Sequence, residues 1–373
     1  MMRSFGQAVM AILSCGALAL AGCANRHAHV TAPPAPAVEA KFVYIGDQGA
    51  SISGDSVDTS TGALTALSGF PLAIGTNPIA VAVDPQNRFL FVGDIAASQL
   101  HVFAINSSTG ALSEIGASPY ATVPEPIAVA VDPSGTHVYV ASQDSDSVGG
   151  YSLNATGALT PIAGSPFPTS GTKTFGDSIA INAGGTFVYV QDVFNIYVYS
   201  VSGGSGALTL VQTIAGPSNE GGLALDPAGT FLYSVSSGIK SILTYSIDAS
   251  TGLLTQAASS PMVKQDGAYT IAVTPGGESA YTIESNNYLV SYAISNGRFT
   301  PVGSVYAQVY GERIGIDPSG SFVYVPQACG YCQSGVYNVV NEFSIGSEGG
   351  LTKISGSPVA AGTTPWGIAF TTQ

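Results

Sequence analysis

From Lys41 to the end of the chain one pattern returns seven times, and no other feature limits the fold as strongly. A strand carries an aromatic residue at a fixed place: Tyr44, Phe91, Tyr139, Tyr189, Tyr233, Tyr281 and Tyr324. Each is followed by a turn of the Thr-Gly-Ala-Leu kind, whose glycine supplies the positive φ a tight hairpin needs. Those glycines are Gly62, Gly110, Gly157, Gly206, Gly252, Gly297 and Gly349. Before the aromatic strand runs an apolar one that ends, in several repeats, on Asp-Pro, as at Asp84-Pro85, Asp132-Pro133 and Asp317-Pro318. After the glycine a fourth strand leads into Ser-Pro at Ser118, Ser165, Ser260 and Ser357. Four short strands in a repeat of this length describe one propeller blade. A low share of charged residues (9%) with 46 Gly and 22 Pro suits many short strands and turns.

The two ends are complementary. The first repeat, opening at Lys41, lacks the innermost strand, and residues 364–371 form an innermost-type strand with no repeat after it. Joining them closes a ring and removes exposed sheet edges, whereas an open solenoid needs polar caps. The sequence therefore predicts an all-β fold over residues 41–373. It is a seven-bladed β-propeller of four-stranded blades, its N-terminal blade completed by the C-terminal strand.

Ahead of the repeats, Met1-Met2-Arg3, an apolar run from Phe5 to Leu20 and the box Leu20-Ala21-Gly22-Cys23 resemble a bacterial lipoprotein signal. That resemblance implies a signal peptide over 1–22, a lipid on Cys23 and a tether over 23–40, anchoring the protein to a membrane. Ala24 after the cysteine implies the outer membrane, on its periplasmic or cell-surface side. Cys329 and Cys332, in a Gly- and Ser-rich loop, read as a small disulfide in an oxidising compartment. The net charge of −13, with few and scattered bases, excludes nucleic acid as a partner.

The strands Phe187-Val188-Tyr189-Val190 and Phe322-Val323-Tyr324-Val325, with Asp-Pro-x-Gly before several such strands, resemble the seven-bladed lactonase propellers, a family bordering the YVTN-repeat proteins. The resemblance spans about residues 41–373 and implies sugar-lactone or cyclic-acid substrates. The shared residues are structural, so a site has to be sought where the repeat is irregular.

Aligned on Asp84, Asp132, Asn182, Asp226, Thr274, Asp317 and Thr371, the inner strands carry a small residue two places earlier in every repeat. Five places earlier they carry Ile79, Ile127, Asp177, Gly221, Tyr269, Glu312 and Trp366, a set with no common packing character. With Glu220 and Arg313 beside it, this set is the candidate site at one mouth of the channel. The ends of the second strands, Asp47, Asp94, Ser142, Asp192, Ser236, Glu284 and Gln327, are expected at the same mouth and would make it acidic. Three readings of these acids stand open. They are solvated carboxylates without a shared task, or Asp47, Asp94, Asp192 and Glu284 hold a hard cation such as Ca²⁺. In the third reading Asp177 and Glu312 are a close acid–base pair assisted by Arg313. The four histidines read as tether (His27, His29) or strand packing (His101, His137), and no Gly-x-Ser-x-Gly elbow occurs. Two functions follow: a carboxylate- or metal-assisted lactonase-like hydrolase, or a non-catalytic scaffold holding a glycan or protein through Tyr269, Trp366, Glu220 and the Cys329–Cys332 loop.

Overall fold

The computed structural model describes residues 39–373 apart from 170–175, 217–220, 259, 265, 307–312 and 328–337, and the backbone alone at 176, 177 and 263. Cys23, the expected lipidation site, and the expected disulfide Cys329–Cys332 lie outside the described residues. The strands form seven antiparallel sheets, and the first is completed by the last strand of the chain, Pro365–Thr372, paired with Ala40–Asp47. Blade one is thus built from Ala40–Asp47, Ser51–Val57 and Leu64–Ala66 around the C-terminal strand. Blades two to seven begin with the inner strands Pro78–Val83, Pro126–Val131, Gly176–Ile181, Leu223–Leu225, Ala268–Val273 and Gly315–Ile316.

The two features counted in the sequence prove to be one device. The hydroxyls of Tyr44, Tyr139, Tyr189, Tyr281 and Tyr324 donate to the carbonyls of Gly110, Gly206, Gly252, Gly349 and Gly62, at 2.7–3.1 Å. In each case the glycine belongs to the next blade, and Tyr324 to Gly62 crosses from the seventh blade to the first. Where blade five has Tyr233, the hydroxyl of Thr244 takes the bond to Gly297 instead. All seven glycines have φ between 70° and 87°. At Gly157 a Cβ would also lie 2.7 Å from the Phe89 ring of the neighbouring blade, so two requirements exclude a side chain there. Each such bond, buried between a phenol and a backbone carbonyl, contributes about 1 kcal/mol.

The small inner-strand residues pair with the same aromatics. Ala82 faces Phe91, Ala130 Tyr139, Ala180 Tyr189, Ala224 Tyr233, Ala272 Tyr281, Gly315 Tyr324 and Ala369 Tyr44. Cross-strand partners share a sheet face, so a small side chain makes room for the ring. The apolar core is divided accordingly into clusters between neighbouring blades; one joins Val43, Ile45 and Leu64 of blade one to Phe322, Tyr324 and Val340 of blade seven.

Four strands per blade holds in blades four and six alone. In the other five the outer strand breaks and a further short piece pairs with the third strand. The Ser-Pro steps sit at these breaks. Proline ends the run of donors, and the hydroxyls of Ser118, Ser165, Ser260 and Ser357 accept the N–H groups of Val102, Gly150, Thr244 and Glu342 on the third strands.

Candidate functional site

The inner strands are irregular at one place. In blade two Pro78 pairs with Asp94 and Ala80 with Gly93, leaving Ile79 as an extra residue. The same bulge falls on Ile127, Asp177, Tyr269 and Trp366. A β-bulge bends its strand and redirects the extra side chain, and bulges gather at rims of closed sheets and beside active sites. In blades five and seven, Gly221 and Glu312 precede inner strands that are cut short.

The bulge residues meet. Ile79, Ile127, Gly221, Tyr269 and Trp366 line one cavity of about 240 Å³, together with Arg313, Gln48, Asn77, Ile95 and Gln143. Five of the seven positions singled out from the sequence therefore line one cavity, and Arg313 joins them. Asp177 occupies the equivalent bulge of blade four by its backbone; its side chain, Glu312 and Glu220 lie outside what is described. Isoleucine side chains and the Trp366 indole, which packs on the cluster containing Ile79 and Ile127, form the apolar wall. Trp366 Nε1 and Asn77 Oδ1 are buried without a hydrogen-bond partner among the described residues. One is a donor and the other an acceptor, and burying either unpaired costs about 1–3 kcal/mol.

The strand-end acids are not at this mouth, which corrects the expectation of an acidic rim. Asp47, Asp94, Ser142, Asp192, Ser236, Glu284 and Gln327 are all at most 6% exposed. Side chains alternate along a strand, and in three blades the next residue, Gln48, Ile95 or Gln143, faces the cavity. The acids serve their own blades. Asp94 accepts the N–H groups of Thr76, Asn77 and Ala97 and the Thr76 hydroxyl. Asp192 accepts from the N–H groups of Phe194 and Asn195 and from the Tyr197 hydroxyl. Asp47 accepts from the Ser51 and Ser53 hydroxyls, and Glu284 pairs with Lys264 at 2.8 Å. Spread over blades one, two, four and six, these carboxylates do not form the cation site the sequence suggested. Among the described residues no three His, Cys, Asp or Glu side chains are grouped to hold a metal.

Their protonation differs with their partners. Burial pushes Asp47 up to about 7, against its two serine bonds. Burial raises Asp94 too, but the N–H groups of Thr76 and Ala97 and the Thr76 hydroxyl outweigh it and hold that carboxyl below the usual range. Sequence reasoning missed Asn77, just before an inner strand, and Gln48, Ile95 and Gln143, each just after the second strand of its blade. It also missed Lys264. His101 and His137 sit as packing residues with polar contacts: His101 Nδ1 is 2.8 Å from Glu114, and His137 Nδ1 is 3.3 Å from Asp132.

The family model described as "Lactonase, 7-bladed beta-propeller" matches residues 35–131, 80–173 and 222–373. The chain belongs to this lactonase family. Every described residue lining the mouth of this lactonase-family propeller, Gly221 excepted, falls within the matched segments. No curated protein matches the chain in sequence. Among solved structures it is similar to a candidate 6-phosphogluconolactonase from Bacteroides uniformis, with TM-score 0.77 and 18% identity, over 89% of this chain and 100% of that one. It is also similar to the periplasmic gluconolactonase of Pseudomonas aeruginosa, with TM-score 0.73 and 17% identity, over 88% of this chain and 98% of that one. A protein from Lactobacillus plantarum is similar at TM-score 0.74 and 20% identity, over 89% of this chain and 99% of that one. At these identities the likeness is one of fold.

Proposed function

We propose that the bulge-lined mouth binds and hydrolyses a polyhydroxylated lactone. The observation that carries this reading is one cavity lined by Trp366, Asn77 and Arg313, with Trp366 Nε1 and Asn77 Oδ1 buried without a hydrogen-bond partner among the described residues. A neutral sugar lactone offers the carbonyl oxygen and the hydroxyls these groups lack, and its ring suits the apolar wall. The described lining carries one cation, Arg313, which suits a transition state that gains a single negative charge.

In this reading water attacks the lactone carbonyl and gives its proton to Glu312, next in the chain to Arg313. The Arg313 guanidinium and the Trp366 N–H stabilise the oxyanion. As the ring C–O bond breaks, Asp177, in its protonated form, donates to the departing alkoxide, and an open hydroxy acid results. The roles of Asp177 and Glu312 rest on their places in the repeat. We propose in addition that the protein is exported and anchored through lipid on Cys23, so that Cys23→Ala moves it from the membrane to the soluble fraction.

The test is proton release at constant pH with D-glucono-1,5-lactone and D-galactono-1,4-lactone. Hydrolysis is expected above the spontaneous rate, unaffected by chelator and reduced about 10²-fold or more by Glu312→Gln. No turnover of either lactone would refute the hydrolase and leave a binding propeller.

A further inference from the structure

A second cavity, of about 570 Å³, lies on the flank of the ring, between the outer fringe of blade five and blade six. Its floor holds Lys264, whose side chain is 1% exposed. The Lys264 ammonium is 2.8 Å from Glu284 and donates to the Thr282 hydroxyl at 3.0 Å. It also lies 5.6 Å from the centroid of the Tyr292 ring, while the Tyr292 hydroxyl donates to Glu284 at 3.1 Å.

The frame of the propeller does not require this arrangement. In each of the five blades with a broken outer strand, one residue closes the fringe by donating its N–H to the turn before the third strand. Elsewhere that residue is Ile74, Thr122, Thr169 or Ala361; in blade five it is Lys264. Burying an ion pair here is a poor way to gain stability, since an apolar pair of similar volume commonly does as well or better. The rim also departs from the repeat. The unbroken outer strand Arg298–Tyr306 of blade six sets Tyr306 opposite Tyr288, with ring centroids 5.1 Å apart and exposures of 57% and 36%. Blade four, the other with an unbroken outer strand, pairs Asn195 with Ala215 at that place.

We propose that this flank cavity is a second binding site, distinct from the mouth, and that it takes a neutral saccharide. The charges argue for a neutral ligand. Lys264 is matched by Glu284, and Asp266 receives Lys240 at 3.9 Å and the Asn286 amide at 2.8 Å. Fixed donors and acceptors at the floor suit sugar hydroxyls, and Tyr288 at the rim, with Tyr306 against it just outside the lining, suits the C–H faces of a pyranose. An anion would find its cation already paired, and a purely apolar ligand would leave the polar floor unmatched.

The test is calorimetric titration of the full chain with maltohexaose, cellohexaose and hexa-N-acetylchitohexaose. At least one is expected to bind, and Tyr306→Ala and Tyr288→Ala, exposed changes that leave the fold intact, are each expected to weaken it about tenfold or more. Trp366→Phe, at the mouth, is expected to leave that affinity unchanged. Absence of binding by all three, binding insensitive to both tyrosine changes, or binding lost in Trp366→Phe would each overturn the proposal. Lys264→Met, checked for folding by its thermal transition, should lower affinity while the transition stays within a few degrees of wild type. Unaltered affinity in the folded variant would also count against the site.

Discussion

Two places on the same inner strands, three residues apart, behave oppositely. Two residues before the strand-end anchor every blade carries Ala or Gly, set against the aromatic ring of the second strand. Five residues before it the blades carry Ile, Ile, Asp, Gly, Tyr, Glu and Trp, and the described members line one cavity. The first place has the same neighbour seven times and one solution. At the second, Ile79, Ile127, Gly221, Tyr269 and Trp366 share one cavity, so residues of unlike chemistry from five blades can contribute to a single asymmetric site. Repetition marks the frame, and its failure marks the cavity.

That division can be broken by variants that affect the wrong property. The largest effect is expected from Arg313→Met, which should lower lactone turnover about 10²-fold or more while leaving the thermal transition in place. A matching loss of stability would make Arg313 part of the frame. Next is Asp94→Asn, which removes a charge held by three backbone N–H groups and a hydroxyl. It should cost about 1–3 kcal/mol at neutral pH in denaturant unfolding.

Asp47, at the equivalent strand end of blade one, should show the opposite sign. Its native pKa, about 7, lies above its ordinary value of 3.8. Between pH 4 and 7 the unfolded chain gives up a proton that the native state keeps. Stability is thus fully present at low pH and falls as pH rises through this window. Asp55, raised to about 6 by burial and then by Glu342, acts in the same direction. Wild type should therefore unfold more easily at pH 8 than at pH 5, with a shallower pH slope in Asp47→Asn. A steeper slope would contradict the assignment. The smallest effect is expected from Tyr324→Phe, which removes the bond to Gly62 across the ring closure. It should cost about 1 kcal/mol with turnover unchanged.

The frame was legible because each repeated residue has a repeated partner. The seven aromatics, seven glycines and seven small residues could be counted in the sequence, and the structure joins them by hydrogen bonds and register. The place of the mouth was legible for the complementary reason, since Tyr269 and Trp366 stand where the pattern fails. The orientation of the strand-end acids was not. A one-residue step along a strand reverses the side chain, so Asp47 turns into its blade while Gln48 faces the channel. Nor was the bulge legible, because it is a property of pairing between two strands. Lys264 carried a readable signal, a lone lysine just after the fringe strand Met262–Val263, but its partners Thr282, Glu284 and Tyr292 belong to the next blade.

The central claim is that a lactone engages the mouth, and Trp366 is the single tryptophan of the chain. Its emission therefore reports that cavity directly. Titration with D-gluconate, the stable product of the proposed reaction, should change Trp366 emission saturably, and Arg313→Met should weaken that response about tenfold or more. Lactone turnover with no change in Trp366 emission at any gluconate concentration would place the chemistry elsewhere and contradict the account.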